Sequence, residues 1–239
     1  RWEKTSWTGA FSFEQMTGQN MFSSMFLEPG YFPMDILEFT PGTKSRQTYR
    51  LEGGFVTDLG YEWAAGIKAS YKAANYAKRK DIRHTTFGMS LQVEPTITYV
   101  MDDEIGFASA CIFRARTESI DAEQVGSATD ESYYAFLDKG MRYGTYQVWD
   151  GDGIHLEEAG VGLFPVREYA HGFSELFHSP EFSFGFEMVW KRGKAGEKGF
   201  DWFKFPGRTT TAFVEWTLLS DKADHTFRFS LKRQGDQLR

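Results

Sequence analysis

Long stretches of alternating apolar and polar residues are the feature that most constrains the fold of this chain. From Tyr61 to Ala73 the odd positions are apolar, while the even positions include Glu62, Lys68 and Lys72. Side chains two residues apart lie on one face of a β-strand, whereas a helix would bring these charges into its apolar stripe. The pattern therefore predicts a long strand with one apolar face and one polar face.

The same alternation recurs along the chain and predicts roughly nine strands. Apolar rows occur in the ranges 7–13, 49–55, 61–73, 87–99, 105–113, 182–190, 212–218 and 227–231, with a less regular row in 164–177. Ile112 interrupts its row, and Pro95 predicts a bulge or a local opening of the ladder because it has no amide hydrogen to donate. The expected fold class is all-β, an antiparallel up-and-down meander.

The connections between these rows alternate in length. Short ones are predicted at 57–60, 101–104, 178–180 and 220–224, and long ones at 18–44, 76–83, 119–163 and 192–207. In a meander this order places every short turn at one end of the sheet and every long loop at the other. Outer-membrane β-barrels have this asymmetry, so we expect a transmembrane β-barrel or part of one.

Alternation alone does not decide which face is wet, because a soluble barrel is apolar inside and a membrane barrel is apolar outside. Several predicted strands exceed the ~9–11 residues that cross a bilayer at a tilt. Aromatic residues expected at a membrane interface cluster beside the short turns; they are Tyr61, Trp63, Tyr99, Phe107 and Phe182. Against a lipid-facing surface stand the small residues Ala65, Ala69, Ala73 and Ser109. The membrane barrel is favoured, and the alternative is a soluble β-barrel or sandwich that binds a hydrophobic ligand.

Residues 45–116, which begin SRQTYRLEGGFVTDLGYEWAAGIKAS, resemble outer-membrane β-barrel proteins of Bacteroidota, more specifically an uncharacterised family among them. The resemblance implies the bacterial outer membrane as location and supplies no catalytic residues. Such barrels usually finish on an aromatic residue, whereas this chain continues past Leu231, and bacterial barrels have even strand numbers. We therefore expect residues 1–239 to form one barrel domain that is a segment of a longer barrel, with strands missing before Arg1.

Composition excludes several classes of function. No run of ~18 apolar residues is present, so a transmembrane helix is not expected. The net charge of −6 and the lack of a basic stripe argue against nucleic acid as a partner. The single cysteine, Cys111, has no cysteine for an intrachain disulfide and is interpreted as a small packing residue. The expected partners are the lipid bilayer and either other outer-membrane proteins or a small solute.

Charged residues on the polar rows are the candidates for a lumen lining. They are Arg50, Glu52, Glu62, Lys68, Lys72, Glu94, Arg114, Arg116, Glu187, Lys191, Arg228 and Lys232. They could set the selectivity of a pore, or they could form cross-strand ion pairs that stabilise a narrow barrel. The mixed signs favour the ion-pair network.

No nucleophile elbow, zinc motif, phosphate-binding loop or dinucleotide motif is present, so neither a catalytic residue nor a cofactor is predicted. The five histidines are scattered, and a Ser–His–acid set assembled in space stays open, as in an outer-membrane enzyme. The loop WDGDGIHLEE offers Asp150, Asp152 and Glu157 as weak calcium ligands, although an ordinary solvated loop is preferred.

Overall fold

The computed structural model contains β-strands and no helix in the residues that the structure describes. These are 4–80, 82–102, 105–123, 133–140, 144–149, 155–156, 159–160, 163–197, 200–218 and 225–238. The strands are β1 (Thr5–Ser24), β2 (Asp35–Gly60), β3 (Trp63–Lys78), β4 (Arg83–Asp102), β5 (Ile105–Glu123), β6 (Tyr133–Asp138), β7 (Gly144–Trp149), β8 (His155–Leu156), β9 (Ala159–Gly160), β10 (Leu163–His178), β11 (Phe182–Glu197), β12 (Phe200–Leu218) and β13 (His225–Asp236).

Nine long strands form an antiparallel meander, which confirms the predicted fold class. β1 to β5 pair in sequence, β10 pairs with β5, and β10 to β13 again pair in sequence. The short strands β6 to β9 lie within the predicted loop 119–163, and β6 extends the β3 edge of β2 at residues 35–38. Within the described residues the sheet does not close, because β1 pairs only with β2 and β13 only with β12.

The short turns lie at one end of the sheet, which we call the turn end, and the opposite end is the loop end. The β2–β3 turn is Tyr61–Glu62, not 57–60, and both residues have positive φ angles of 53° and 70°. This geometry corresponds to a two-residue type I′ turn, whose twist matches that of the flanking strands. Glu62 therefore lies in a turn and not on the polar row of β3.

The connections at the loop end are shorter than predicted. Residues 25–34 join β1 to β2, 79–82 join β3 to β4, and 198–199 join β11 to β12, so the predicted loops 18–44, 76–83 and 192–207 are wrong in extent. The backbone ladders continue beyond the point at which the apolar rows end. Hydrogen bonding between strands does not require an apolar face, so alternation locates the apolar part of a strand and not its end.

The strand register places the apolar rows of neighbouring strands side by side on one face. For example, Trp63 faces Tyr99, Tyr99 faces Phe107, and Phe107 faces Phe177. We call this surface the apolar belt. Its exposed members are Trp7, Phe11, Phe13, Tyr49, Leu51, Phe55, Trp63, Ile67, Tyr71, Phe87, Met89, Leu91, Ile97, Phe107, Phe113, Tyr169, Phe177, Phe182, Phe184, Trp190, Val214, Trp216, Phe227, Phe229 and Leu231.

The height of the belt differs between strands, for example from Phe227–Leu231 on β13 to Phe87–Ile97 on β4, and the belt has one charged interruption in the described residues. On β10 it runs from Tyr169 to Phe177, a height of nine residues. Glu175 lies inside it, and its Oε1 accepts a hydrogen bond of 3.0 Å from Ser109 Oγ. Ser109, which suits a lipid-facing position poorly, thus partners the one carboxylate of the belt.

The hydrophobic core lies on the opposite face, which we call the inner face, and is concentrated towards the loop end. Residues 25–34, the inner segment, lie across this face and bury Met25, Phe26, Phe32 and Met34. Within its ten residues, the inner segment contacts four strands, namely β4, β5, β10 and β12.

Two local anomalies of the sequence are explained by this arrangement. Ile112 points to the inner face, where it is buried against Ala170 and Val189. Pro95 pairs with Ile67 of β3, while the paired positions of β4 and β5 skip residues 94 and 95 without a change of register. The local opening of the ladder predicted at Pro95 is therefore confirmed.

We predict that Phe205→Ala lowers the free energy of unfolding by about 3–5 kcal/mol, measured by urea titration in detergent micelles. Phe205 is fully buried, lies over Gly193 and contacts the ring of Phe32 at a centroid distance of 5.6 Å. The control Phe22→Ala, at a position that is 55% exposed, is expected to cost less than about 1 kcal/mol. Equal losses for the two variants would contradict the assignment of the core to the inner face.

Candidate functional site

The inner segment is fixed to the sheet wall through its backbone. Leu27 N–H donates to Glu118 Oε1 at 2.6 Å, and the Met25 carbonyl accepts from Thr86 Oγ1 at 2.6 Å. At its β1 end, the Ser24 carbonyl accepts from Lys44 Nζ at 3.1 Å. Side chains of three wall strands therefore satisfy polar backbone groups that a buried segment would otherwise leave without partners.

Glu28 joins the inner segment to two wall cations. Its carboxylate contacts Lys72 of β3 and lies 3.1 Å from Arg116 Nη1 of β5. Burial by itself raises the pKa of Glu28, but the hydrogen bond from Lys72 and the charge of Arg116 outweigh it, so the pKa is lowered. Glu28 is therefore ionised at neutral pH and holds the two strands' cations together.

Aromatic rings of the inner segment cover one of these cations. The guanidinium carbon of Arg116 lies 3.8 Å from the centroid of Tyr31 and 5.1 Å from that of Phe32. Arg116 also contacts Glu118 at 3.3 Å. Stacking and paired hydrogen bonds suit the planar guanidinium better than a lysine ammonium.

Tyr31 extends the network towards β10 and β11. Its hydroxyl donates to Glu168 Oε1 at 2.7 Å, and Glu168 also lies 3.6 Å from Arg114 and 3.9 Å from Lys191. Burial, and next the charge of Glu168, raise the pKa of Tyr31 to about 12. The hydroxyl thus keeps its proton at neutral pH. Lys191 in turn contacts Asp236 of β13 at 2.9 Å, so the network extends from β3 to β13.

A cavity of about 240 Å³ lies between the inner segment and the wall. Its polar lining includes Glu28, Lys72, Gln92, Arg114 and Arg116. Within the described residues, the buried Nε of Arg114 has no hydrogen-bond partner. The cavity could therefore hydrogen-bond a small polar solute, although the ion pairs around it balance most of its charge.

A second buried charge cluster lies nearer the loop end. Glu38 of β2 contacts both Lys44 and Lys78, and the side chains of these three residues are fully buried. His84 lies beside them, against the ring of Tyr76. Burial, followed by the charges of Lys44 and Lys78, lowers the pKa of His84 to about 3. His84 is therefore neutral at physiological pH.

The structure brings only part of the predicted lumen set together. Lys72, Arg114, Arg116 and Lys191 meet at the inner segment, whereas Arg228 pairs separately with Glu215 at 3.8 Å. The others on the inner face are Arg50, Glu52, Lys68, Glu94, Glu187 and Lys232, of which Lys68 and Glu94 face each other in register. Glu62 lies in the β2–β3 turn and accepts a 2.7 Å hydrogen bond from the Tyr99 hydroxyl.

Several residues of the network were not predicted from the sequence. Glu118 and Glu168 continue the polar rows of their strands, so a longer reach of the alternation would have found Glu118 after Arg114 and Arg116. Glu28 and Tyr31 fall in a stretch assigned to a long loop. The signal there was its composition, since MFLEPGYFPM is too apolar for a solvated loop.

The described part of the chain offers few other side-chain arrangements that could support catalysis or metal binding. Nδ1 of His178 lies 2.8 Å from Ser183 Oγ at the β10–β11 turn, but no described acid contacts that histidine. No group of three or more histidine, cysteine or acidic residues there could hold a metal ion. The weak calcium candidates Asp150, Asp152 and Glu157 lie outside the described residues. Cys111 is a free, exposed thiol that faces Phe173.

These features define an all-β protein with an antiparallel meander, one apolar belt and an inner face that residues 25–34 cover towards the loop end. A family model described as "Family of unknown function (DUF6850)" matches residues 4–234, and the chain belongs to this family. No curated protein and no solved structure matches the chain. The described residues contain no helix long and apolar enough to cross a membrane.

We predict that Glu118→Gln loosens the inner segment, because the variant loses the charge that holds both the Leu27 amide and Arg116. Hydrogen bonds to a charged group contribute roughly 1.5–3 kcal/mol, so amide hydrogen exchange around residue 27 should accelerate by about 10-fold or more. The control Glu215→Gln removes a carboxylate from the more exposed pair with Arg228. Unchanged exchange in Glu118→Gln would show that the ion pairs do not hold the segment.

We also predict that His84 makes stability depend on pH. Because its folded pKa lies below its unfolded value of about 6.5, the stabilising contribution is complete above pH 6.5 and is lost as the pH falls towards 3. Between pH 6.5 and 5 the loss should approach about 2 kcal/mol in urea titrations, and His84→Leu should abolish that component. The control His225→Gln should keep it, and an equal pH dependence in wild type and His84→Leu would refute the assignment.

Proposed function

We propose that this protein is an outer-membrane β-barrel protein whose nine long strands form part of a barrel wall. The observation that supports this is the apolar belt, in which large aromatic residues of nine strands share one exposed face. Trp216, Phe227 and Phe229 are 57%, 64% and 72% exposed, respectively. Soluble monomers rarely expose apolar patches larger than a few hundred Å², so a surface of this extent needs an apolar environment.

The dimensions of the belt fit a bilayer. Its nine-residue height on β10 and on β11 matches the ~9–11 residues with which a tilted strand crosses the hydrocarbon region. Trp63, Tyr99 and Phe107 form an aromatic row beside the turn end, where a membrane interface would lie. The lipid bilayer is therefore the partner that we propose, and the bacterial outer membrane is the proposed location.

The inner face supports a structural or solute-passage role and not catalysis. Cations and carboxylates alternate across it, and the pairs at the inner segment connect β3, β5, β10, β11 and β13. Balanced pairs stabilise a wall more than they create a selective field. In the soluble alternative the apolar rows would enclose a ligand, but here the buried core and the inner segment lie on the other face.

Depth-dependent fluorescence quenching tests the proposal. Variants that keep a single tryptophan, either Trp216 or Trp202, are reconstituted into vesicles of phosphatidylcholine brominated along its acyl chains. Both residues lie on β12, fourteen positions apart, which is roughly 45 Å along the strand. Trp216 belongs to the belt and should be quenched at least several-fold more than Trp202, which lies beyond its loop end.

Trp202 serves as the matched control because it occupies the same strand and carries the same fluorophore. Equal quenching of Trp216 and Trp202 would refute the transmembrane orientation. A wild-type protein that stays monomeric and monodisperse in buffer without detergent would refute the membrane proposal as a whole.

A further inference from the structure

Four arginines limit the apolar belt at its loop end on four adjacent strands. Arg167 of β10, Arg192 of β11, Arg208 of β12 and Arg233 of β13 share the face of the belt and are all exposed. On β10, β11 and β13 the arginine directly follows the aromatic or apolar part of its strand on that face, at Tyr169, Trp190 and Leu231. On β12, Thr210 lies between Arg208 and the apolar positions. We call these four residues the arginine row.

The strand register arranges the row along one line. Arg192 faces Tyr169, Arg208 faces Trp190, and Arg233 faces Thr210. Each arginine is thus displaced by two residues towards the turn end relative to its neighbour on the preceding strand. Lines of constant depth run obliquely across the register when strands are tilted in a barrel. The regular displacement therefore places the four arginines on one oblique line across the belt face.

The turn end is displaced in the same direction. On β3 the belt starts at Trp63, whose register row passes through Phe107 and Phe177 to Phe184, Val214 and Phe229. On β13 the belt starts one same-face position earlier, at Phe227. The turn-end limit of the belt is therefore much less oblique than the arginine row.

The charge of the row is not neutralised by the protein. Within the described part of the chain, none of the four arginines has an acidic partner within ion-pair distance. Two further cations, Lys194 and Lys204, lie just beyond the row and share Asp201 at 3.0 and 3.7 Å. This surface therefore presents a net positive charge beside an apolar face, although the chain as a whole carries −6.

On β1, β2 and β3 no arginine directly limits the belt at its loop end. There Gln15, Gln47 and Asn75 occupy the belt face of β1, β2 and β3 and are linked by side-chain hydrogen bonds of 3.4 and 3.2 Å. Glutamine and asparagine thus occupy the positions on β1–β3 that arginine occupies on β10–β13.

We propose that the arginine row binds the phosphate groups of anionic lipids in the leaflet at the loop end, an inference that rests on the proposed membrane function. A guanidinium presents paired N–H donors that match two phosphate oxygens, and its aliphatic stem covers apolar surface. The acyl chains of the same lipid would contact the belt below the row. Charge complementarity and the adjoining apolar surface together specify an amphiphile with an anionic phosphate headgroup.

The test measures which lipid the protein retains. Wild-type protein is placed in nanodiscs that contain equal amounts of phosphatidylglycerol and phosphatidylcholine, is released for native mass spectrometry, and its bound lipids are counted. Wild type should retain phosphatidylglycerol preferentially, and added salt should reduce the preference because exposed charges are screened. Replacing all four arginines with glutamine should reduce the preference at least about fivefold, since a basic residue near an anionic surface contributes on the order of that factor.

The matched control removes the same charge from the inner face through Arg50→Gln, Lys68→Gln, Arg228→Gln and Lys232→Gln, and it should retain the wild-type preference. Four Arg→Lys substitutions in the row should preserve part of it, because charge remains while the paired donor geometry is lost. Equal retention of both lipids by wild type, or an unchanged preference in the glutamine variant, would overturn the inference. If Trp216 is quenched by brominated lipid and the preference is still absent, only this inference fails and the membrane proposal stands.

Discussion

The register of the backbone ladder is the constraint on which the rest of the structure depends. All eight pairs of neighbouring long strands are antiparallel and keep one register except near their ends, where β1–β2, β2–β3, β4–β5 and β11–β12 have register shifts. A displacement of one residue in any pair would turn an entire apolar row to the inner face. Both faces therefore owe their character to the same hydrogen bonds, and the irregularities are confined to strand ends.

The polar rows place charged side chains on the buried part of the inner face. Some of the side chains that point to this face near the loop end are charged. Burial of an isolated charge is unfavourable by several kcal/mol. The inner segment buries them together with their partners: Glu28 between two cations, Glu118 on a backbone amide, and Glu168 on the Tyr31 hydroxyl. The apolar side chains of the same segment fill the space between these pairs. Packing and charge pairing are thus achieved by one stretch of ten residues.

Alternation in the sequence predicted the nine long strands and the residues that share a face on each strand, because both follow from local period-two patterning. The short turns between the rows predicted the antiparallel meander. It did not predict where strands end, since the ladder between β11 and β12 continues after the apolar residues stop. It also could not place Glu28 against Lys72, because that contact joins residues 44 positions apart through a segment without any period. The candidate site depends on such contacts, so only its wall cations could be predicted.

Glu175 shows how the two faces differ in what they tolerate. On the inner face a buried carboxylate has cations within reach, whereas Glu175 lies in the belt among Phe173, Phe177 and Phe186. Ser109 satisfies one of its oxygens, and Oε2 has no hydrogen-bond partner in the described residues. A polar group among apolar neighbours is unfavourable unless a donor or acceptor satisfies it. The belt can therefore include a carboxyl group only where a strand neighbour such as Ser109 supplies a donor, and the register alone places that donor opposite it.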